Sequence, residues 1–261
     1  MDDPTLELEW RGDVAVVRLN DPATLNAITL DNVAGFHAAL DEIEPRARAM
    51  VLTGAGRAFC SGANLSGGMG DEVAPDEFDA GLSLETHINP LMQRLRTLHL
   101  PWIAAVRGAA AGAGASLALA GDMIVASETA YFLQAFARVG LVPDAGSSHL
   151  LVRTIGRPRA MELMLLGEKL PAATALEWGL INRVVPDDQL EAEAMRLAGQ
   201  LAEGAWSLRV IRRLAWDAVD GNWTEMLATE RALQLNAGRT TDHREGVAGF
   251  LGKRPARFVG A

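Results

Sequence analysis

The 261-residue chain has a single cysteine, Cys60, so no internal disulfide can form and a cysteine-rich metal site is excluded. It has no basic excess. Lysine plus arginine number 24 against 33 aspartates and glutamates, and 24 − 33 gives −9. General binding to nucleic acid or to an anionic membrane is not expected, because both demand a positive surface. A local basic patch for a phosphorylated ligand stays open. There is no long apolar run either: the most apolar region, 101–126, is interrupted by Arg107 and Asp122. The uncharged stretch between them is too short to span a bilayer. The start, Met1-Asp2-Asp3-Pro4, is acidic and leads into no apolar segment, so no secretory signal is visible. The expectation is a soluble, cytoplasmic protein with no nucleic-acid or membrane partner.

Several signatures are missing. Gly112-Ala113-Gly114 continues as Ala115-Ser116-Leu117, so the GxGxxG spacing of a dinucleotide site fails. No GKS or GKT follows a glycine-rich turn, and GxSxG is absent, which excludes a P-loop and a nucleophile elbow. None of the five histidines forms an HxxxH pair, and no metal site is expected.

What is present is a core. Hydrophobic residues make up 49% and charged residues 22%, which disfavours disorder. Leu6–Trp10 and Val14–Leu19 read as strands joined by a turn at Arg11-Gly12-Asp13. Thr29 or Asp31 caps a helix whose Val33, Phe36, Leu40 and Ile43 follow helical spacing. Met50–Thr53, Trp102–Val106 and Met123–Ala126 read as buried strands, with helices over 84–98 and 109–120. From Arg157 onward helical spacing dominates, with Met161 and Met164 in the core and Asp242-His243-Arg244-Glu245 as a capping box. Trp206, Trp216 and Trp223 are expected to anchor a helical layer or a subunit contact. The alternation predicts an α/β core over 1–200 and a C-terminal helical region over 201–261.

Three small-residue segments follow predicted strands: 54–65, 107–116 and 140–148. Small residues let a ligand approach the backbone, and N–H groups at a helix start are unpaired donors. Two such donors can grip one carbonyl oxygen; the competing reading is simple close packing. Asp144 sits among Leu141, Val142, Pro143, Ala145 and Gly146. A desolvated carboxylate there would act as a proton-transfer base, whereas the structural alternative is a turn or helix-cap aspartate. Cys60 reads as a buried inert thiol, and His149 as a residue near Asp144 without a direct role. The acidic, glycine-containing stretch 66–79 reads as a mobile loop, and the basic tail 253–258 as solvated or phosphate-binding.

Leu25-Asn26-Ala27, Leu52-Thr53-Gly54, Ala58 to Leu65, Gly112-Ala113-Gly114, Trp178 to Ile181 and Glu245-Gly246 together resemble the crotonase, or enoyl-CoA hydratase/isomerase, family. The resemblance covers essentially the whole chain. It implies a spiral of ββα units with C-terminal helices that form homotrimers, often paired as homohexamers. It implies an acyl-CoA thioester ligand, with CoA as part of the substrate and no separate cofactor. The backbone N–H groups of Ala63 and Ala113 would form an oxyanion hole. Leu25, Ala27, Ser61, Gly62, Asn64 and Leu65 would hold parts of CoA, and Asn89, Phe136 and Leu141 would shape the acyl pocket. Family hydratases carry two catalytic glutamates where this chain has Ser116 and Phe136. Asn89-Pro90-Leu91, 110–119 and 140–144 are similar to the isomerase branch that acts on ring-epoxidised phenylacetyl-CoA and shifts double bonds in enoyl-CoA, with Asp144 as its catalytic aspartate. The expected activity is isomerisation. An enoyl-CoA hydratase and a non-catalytic acyl-CoA-binding member are the alternatives. A dehalogenase-type nucleophilic aspartate is disfavoured, because its partner histidine is matched by Asn89.

Overall fold

The opening apolar alternation folds as a hairpin. β1 (Leu6–Arg11) and β2 (Val14–Leu19) pair antiparallel across a turn where Gly12 has a φ of 62°. The structure, a computed structural model, describes residues 5–64 and 79–261. α1 (Leu30–Ile43) is capped by Thr29, whose hydroxyl accepts from Asn32 N–H while the Asn32 amide oxygen accepts from Thr29 N–H. This reciprocal pair satisfies two donors that a helix start leaves open. β3 (Ala49–Gly54) follows, buried along its length.

A π-wound turn, Leu84–Ile88, leads into α2 (Asn89–Thr97), so the helix expected over 84–98 begins with a wider first turn. β4 (Trp102–Val106) comes next. The segment expected as one helix over 109–120 is instead β5 (Ala109–Ala111) followed by α3 (Ala113–Leu119). Gly112, at φ 52° and ψ −129°, breaks the helix there, and β5 finds a parallel partner in β7 (Tyr131–Leu133) beyond β6 (Met123–Ser127). Alanine's helix propensity loses to that pairing. α4 (Ser147–Leu166) is broken at Gly156; then come β8 (Lys169–Pro171), α5 (Ala172–Glu177), β9 (Arg183–Val185) and α6 (Leu190–Ala202).

The main sheet runs β1-β2-β3-β4-β6-β9, parallel from β2 onward, and β5-β7-β8 form a smaller sheet. Both faces of the main sheet are covered. Leu190, Ala194 and Leu197 of α6 pack on Val14, Val51 and Ile103. Phe36 and Leu40 of α1, Leu95 of α2 and Leu117 of α3 close the other side. That double burial is why the parallel strands read as continuous apolar runs.

Three helices complete the chain: α7 (Ser207–Asp220), α8 (Trp223–Ala237) and α9 (Thr241–Leu251). Asp242 does not cap α9. Thr240 does, and the buried Asp242 carboxylate accepts from the N–H groups of Trp206, Val259 and Gly260. Glu245 pairs with Arg254, so part of the basic tail is spent on an ion pair. Met164 packs on the core, but Met161 is 43% exposed, because it faces away from the sheet on a helix with only one side covered. Trp216 donates to Asp122, whereas Trp223 is 78% exposed.

One buried ion pair docks α7. Arg212 Nε lies 2.6 Å from Asp122 Oδ2, and its other nitrogens donate to the carbonyls of Leu95, Arg96 and Leu98 at the end of α2. Asp122 also accepts from Trp102 N–H and Trp216 Nε1, each at 2.9 Å. Replacing Arg212 by Met would leave a buried charge and three carbonyls unpaired, at a cost of about 3–5 kcal/mol. Urea unfolding of Arg212→Met checks this, and a loss below about 1 kcal/mol would show that α7 docks by apolar contact alone.

Candidate active site

Two chain segments meet through a buried asparagine. Leu25 and Asn26 both adopt left-handed backbone, at φ 60° and 59°. That conformation costs a non-glycine residue about 1 kcal/mol or more. Asn26, 1% exposed, offsets it: its Oδ1 accepts from Asp21 N–H, and its Nδ2 donates to the carbonyls of Ala55 and Ala58. The bend brings residues 24–28 alongside 61–64. Ser61 N–H donates to Leu25 O at 3.0 Å, and Ser61 Oγ donates to Thr24 O at 2.9 Å. Ile28 takes up both neighbours of Ala63: its N–H donates to Gly62 O at 2.7 Å, and its carbonyl accepts from Asn64 N–H at 3.0 Å. Ala63 N–H is thereby turned to the opposite side, and it donates to no partner among the described residues.

The second donor comes from the start of α3. Gly112 N–H donates to Leu133 O, and the left-handed φ of Gly112 then points Ala113 N–H out of the helix start. Like Ala63, Ala113 N–H has no partner among the described residues. The helix presses against the 60–63 strand so closely that a Cβ at Gly114 would lie 2.5 Å from Cys60 O and 2.7 Å from its Sγ. A Cβ at Gly62 would come within 2.8 Å of Ala111 O. Burial pushes the Cys60 thiol up to about 12, which removes it as a nucleophile.

The third small-residue segment follows a 3-10 turn, Ala135–Val139, and not a strand. It ends in a tight bend. Asp144 O accepts from Ser147 N–H, Ser147 Oγ and Ser116 Oγ, each at 3.0 Å, while Ala145 and Gly146 turn at φ 51° and 83°. Gly146, not Asp144, is the cap residue of α4. Asp144 Oδ1 is buried and has no hydrogen-bond partner among the described residues. Burial alone pushes its carboxyl up from 3.8 to about 6. Its chain neighbour Ala145 lines, with Ala113, Leu117, Leu91 and Ile88, a small void of about 20 Å³. On the far side, Asn89, Gln93, Arg96, Ala145, His149 and Trp216 line a cavity of about 360 Å³.

The arrangement gathers Leu25, Ala27, Ser61, Gly62, Ala63 and Asn64 along one strand pair, with Ala113 and Asp144 on neighbouring elements. Phe136 is buried near Gly112, Asn89 begins α2 at the larger cavity, and Leu141 is 42% exposed. Leu65 and loop residues 66–78 lie outside the described residues. His149 Nε2 stands 3.5 Å from Asp220, apart from the Asp144 carboxyl. Sequence reading missed two residues, Asn26 and Ser116. Each is a lone polar residue in an apolar stretch, and that was the available signal. Among the described residues no cluster of His, Cys, Asp or Glu is suited to a metal ion, and no helix is long and apolar enough to cross a membrane.

This fold and these segments have close counterparts. Residues 9–261 match the enoyl-CoA hydratase/isomerase family, an enzyme family that acts on acyl-CoA thioesters, and the chain belongs to it. It is 43% identical to a 1,2-epoxyphenylacetyl-CoA isomerase of Escherichia coli K12, over 95% of both chains. It is 41% identical to a probable enoyl-CoA hydratase of Rhodobacter capsulatus, over 98% of both. A crystal structure of an enoyl-CoA hydratase from Polaromonas sp. JS666 superposes with a TM-score of 0.89 at 34% identity, covering 97% of this chain and 99% of that one. The spiral α/β fold expected from the sequence is the one observed.

Burying the Asp144 charge has a stability signature. With a folded value near 6 and an ordinary value of 3.8, the native state holds the extra proton between those limits, so stability falls as pH rises through that window. Asp144→Asn removes the penalty. The variant is expected to be more stable than the parent by about 1–3 kcal/mol at pH 7.5, with the gap closing by pH 4. Thermal unfolding across that range checks it, and a variant less stable at pH 7.5 would show that the carboxylate is held by favourable contacts.

Proposed function

We propose that this chain is an acyl-CoA isomerase that shifts a double bond through an enolate, with enoyl-CoA or ring-epoxidised phenylacetyl-CoA as substrate. The observation that carries it is one partly desolvated carboxylate, Asp144, whose backbone is tied through Ser116 to the helix that begins with the unpaired Ala113 N–H. The thioester oxygen would sit between the N–H groups of Ala63 and Ala113, each worth about 3 kcal/mol once charge develops on it. Asp144 would take a proton from the carbon beside the thioester, or from its vinylogous position. The electron pair moves into the thioester carbonyl, and the same carboxyl returns the proton at another carbon. Substrate and product are isomers, so the step calls for no redox group.

Hydration differs in its needs, since water has to be oriented and its proton moved. Ser116 and Phe136 stand where the family resemblance puts the hydratase glutamates, and neither is a carboxylate. The identity to the isomerase supports the same reading. The 41% identity to a probable hydratase favours hydration as the second reading. For assembly, we propose trimers or hexamers: Leu227, Val247, Phe250 and Leu251 leave an apolar groove of about 950 Å³ open among α7, α8 and α9.

The test is to incubate the protein with 3-hexenoyl-CoA in deuterated water and follow products by mass spectrometry. Deuterated 2-hexenoyl-CoA, lost in Asp144→Asn, is the expected outcome. 3-Hydroxyhexanoyl-CoA formed from the 2-enoyl ester without isomerisation would establish the hydratase instead. Binding of both esters without turnover would point to a binding member. Because the base has to be ionised, kcat/KM for isomerisation is expected to rise with pH through about 6 and level off above it.

A further inference from the structure

We propose that Ser116 is a positioning residue: its hydroxyl ties the Asp144 bend to the helix that presents Ala113 N–H, and so fixes the base relative to the oxyanion donors. The inference rests on the isomerase reading above. Ser116 is fully buried on α3, three residues beyond Ala113. A helical serine ordinarily returns its proton to the carbonyl four residues back. Here that carbonyl, Gly112 O, lies 3.3 Å away, while Asp144 O lies at 3.0 Å. One hydroxyl has one proton to give, and the shorter contact crosses between elements.

The bend depends on that tie. The other two bonds to Asp144 O come from Ser147, three residues on, and hold the bend only to itself. Ala145 and Gly146 are both left-handed, and Ala145 is strained there, so the backbone direction at Asp144 is set by a strained residue. Among the described residues no hydrogen bond holds Oδ1. The aim of the carboxyl is therefore inherited from its backbone, and the link from backbone to oxyanion donor runs through Ser116 and one turn of α3. A misplacement of about 1 Å between reacting groups can cost a hundredfold in rate. At the position where the family resemblance puts one hydratase glutamate, this chain thus places a group that serves the remaining acid.

The test compares Ser116→Ala with Ser147→Ala and the parent, using 3-hexenoyl-CoA isomerisation over pH 5–8. Ser116→Ala is expected to lose about tenfold or more in kcat with KM within about twofold. Its acid limb should move below the parent's as the carboxyl relaxes towards water. Ser147→Ala, which keeps the backbone bond, should stay within about twofold in kcat. Equal losses in the two variants, or parent kcat and acid limb in folded Ser116→Ala, would overturn the proposal. Should Ser116→Ala fail to fold, Ser116→Cys, with a weaker donor of similar shape, takes its place with the same criteria. Absence of isomerisation in the parent would instead refute the isomerase reading. Crystal structures of parent and variant then decide the inference alone: a displaced Asp144 carboxyl supports it, and an unmoved one refutes it.

Discussion

The Asp144 carboxyl keeps one oxygen buried and, among the described residues, unpaired, an arrangement that water would abolish if the bend around it could open. Everything near it works against that opening. Three donors converge on its backbone carbonyl, and α4 starts directly behind it. Leu91, Ala113 and Leu117 close the apolar side. A carboxyl with a value near 6 is ionised at neutral pH yet takes up a proton far more readily than an ordinary aspartate. The same burial that would suit it to the proposed proton transfer makes it a burden on the fold.

The frame that carries this burden is the doubly covered parallel sheet. β3 and β4 fix where the first two small-residue segments leave the core, and close contact through Gly62 and Gly114 sets how near those two run. Arg212 then joins α7 to the end of α2, whose first residue, Asn89, borders the larger cavity. The C-terminal helices are thus attached to the wall of the site as well as to the back of the sheet.

Much of this was readable before the structure. Hairpin, capped helix and buried strands follow from local periodicity, and local periodicity is what a sequence displays. The failures share a cause: in each, a distant partner decided. Ala109–Ala111 have helical composition but pair with β7, a strand twenty residues on. Asp242 has the spacing of a capping box but is claimed by the N–H groups of Trp206, Val259 and Gly260. For Asp144 the residues alone left two readings open, and Gly146 taking the cap excludes only the helix-cap one. Ser116 could not be assigned a task, because its partner lies twenty-eight residues away on another element.

The solitary thiol adds a practical property. Cys60 lies fully buried on the segment that leads to Ala63, bridged to Ala110 and with the start of α3 against its sulfur. An alkylating reagent can reach it only when that packing comes apart. In a chain with one cysteine, the rate of thiol labelling therefore becomes a clock for opening of this region, one that runs without substrate and without an engineered cysteine. A ligand that closes the site should slow that clock even if it is never turned over.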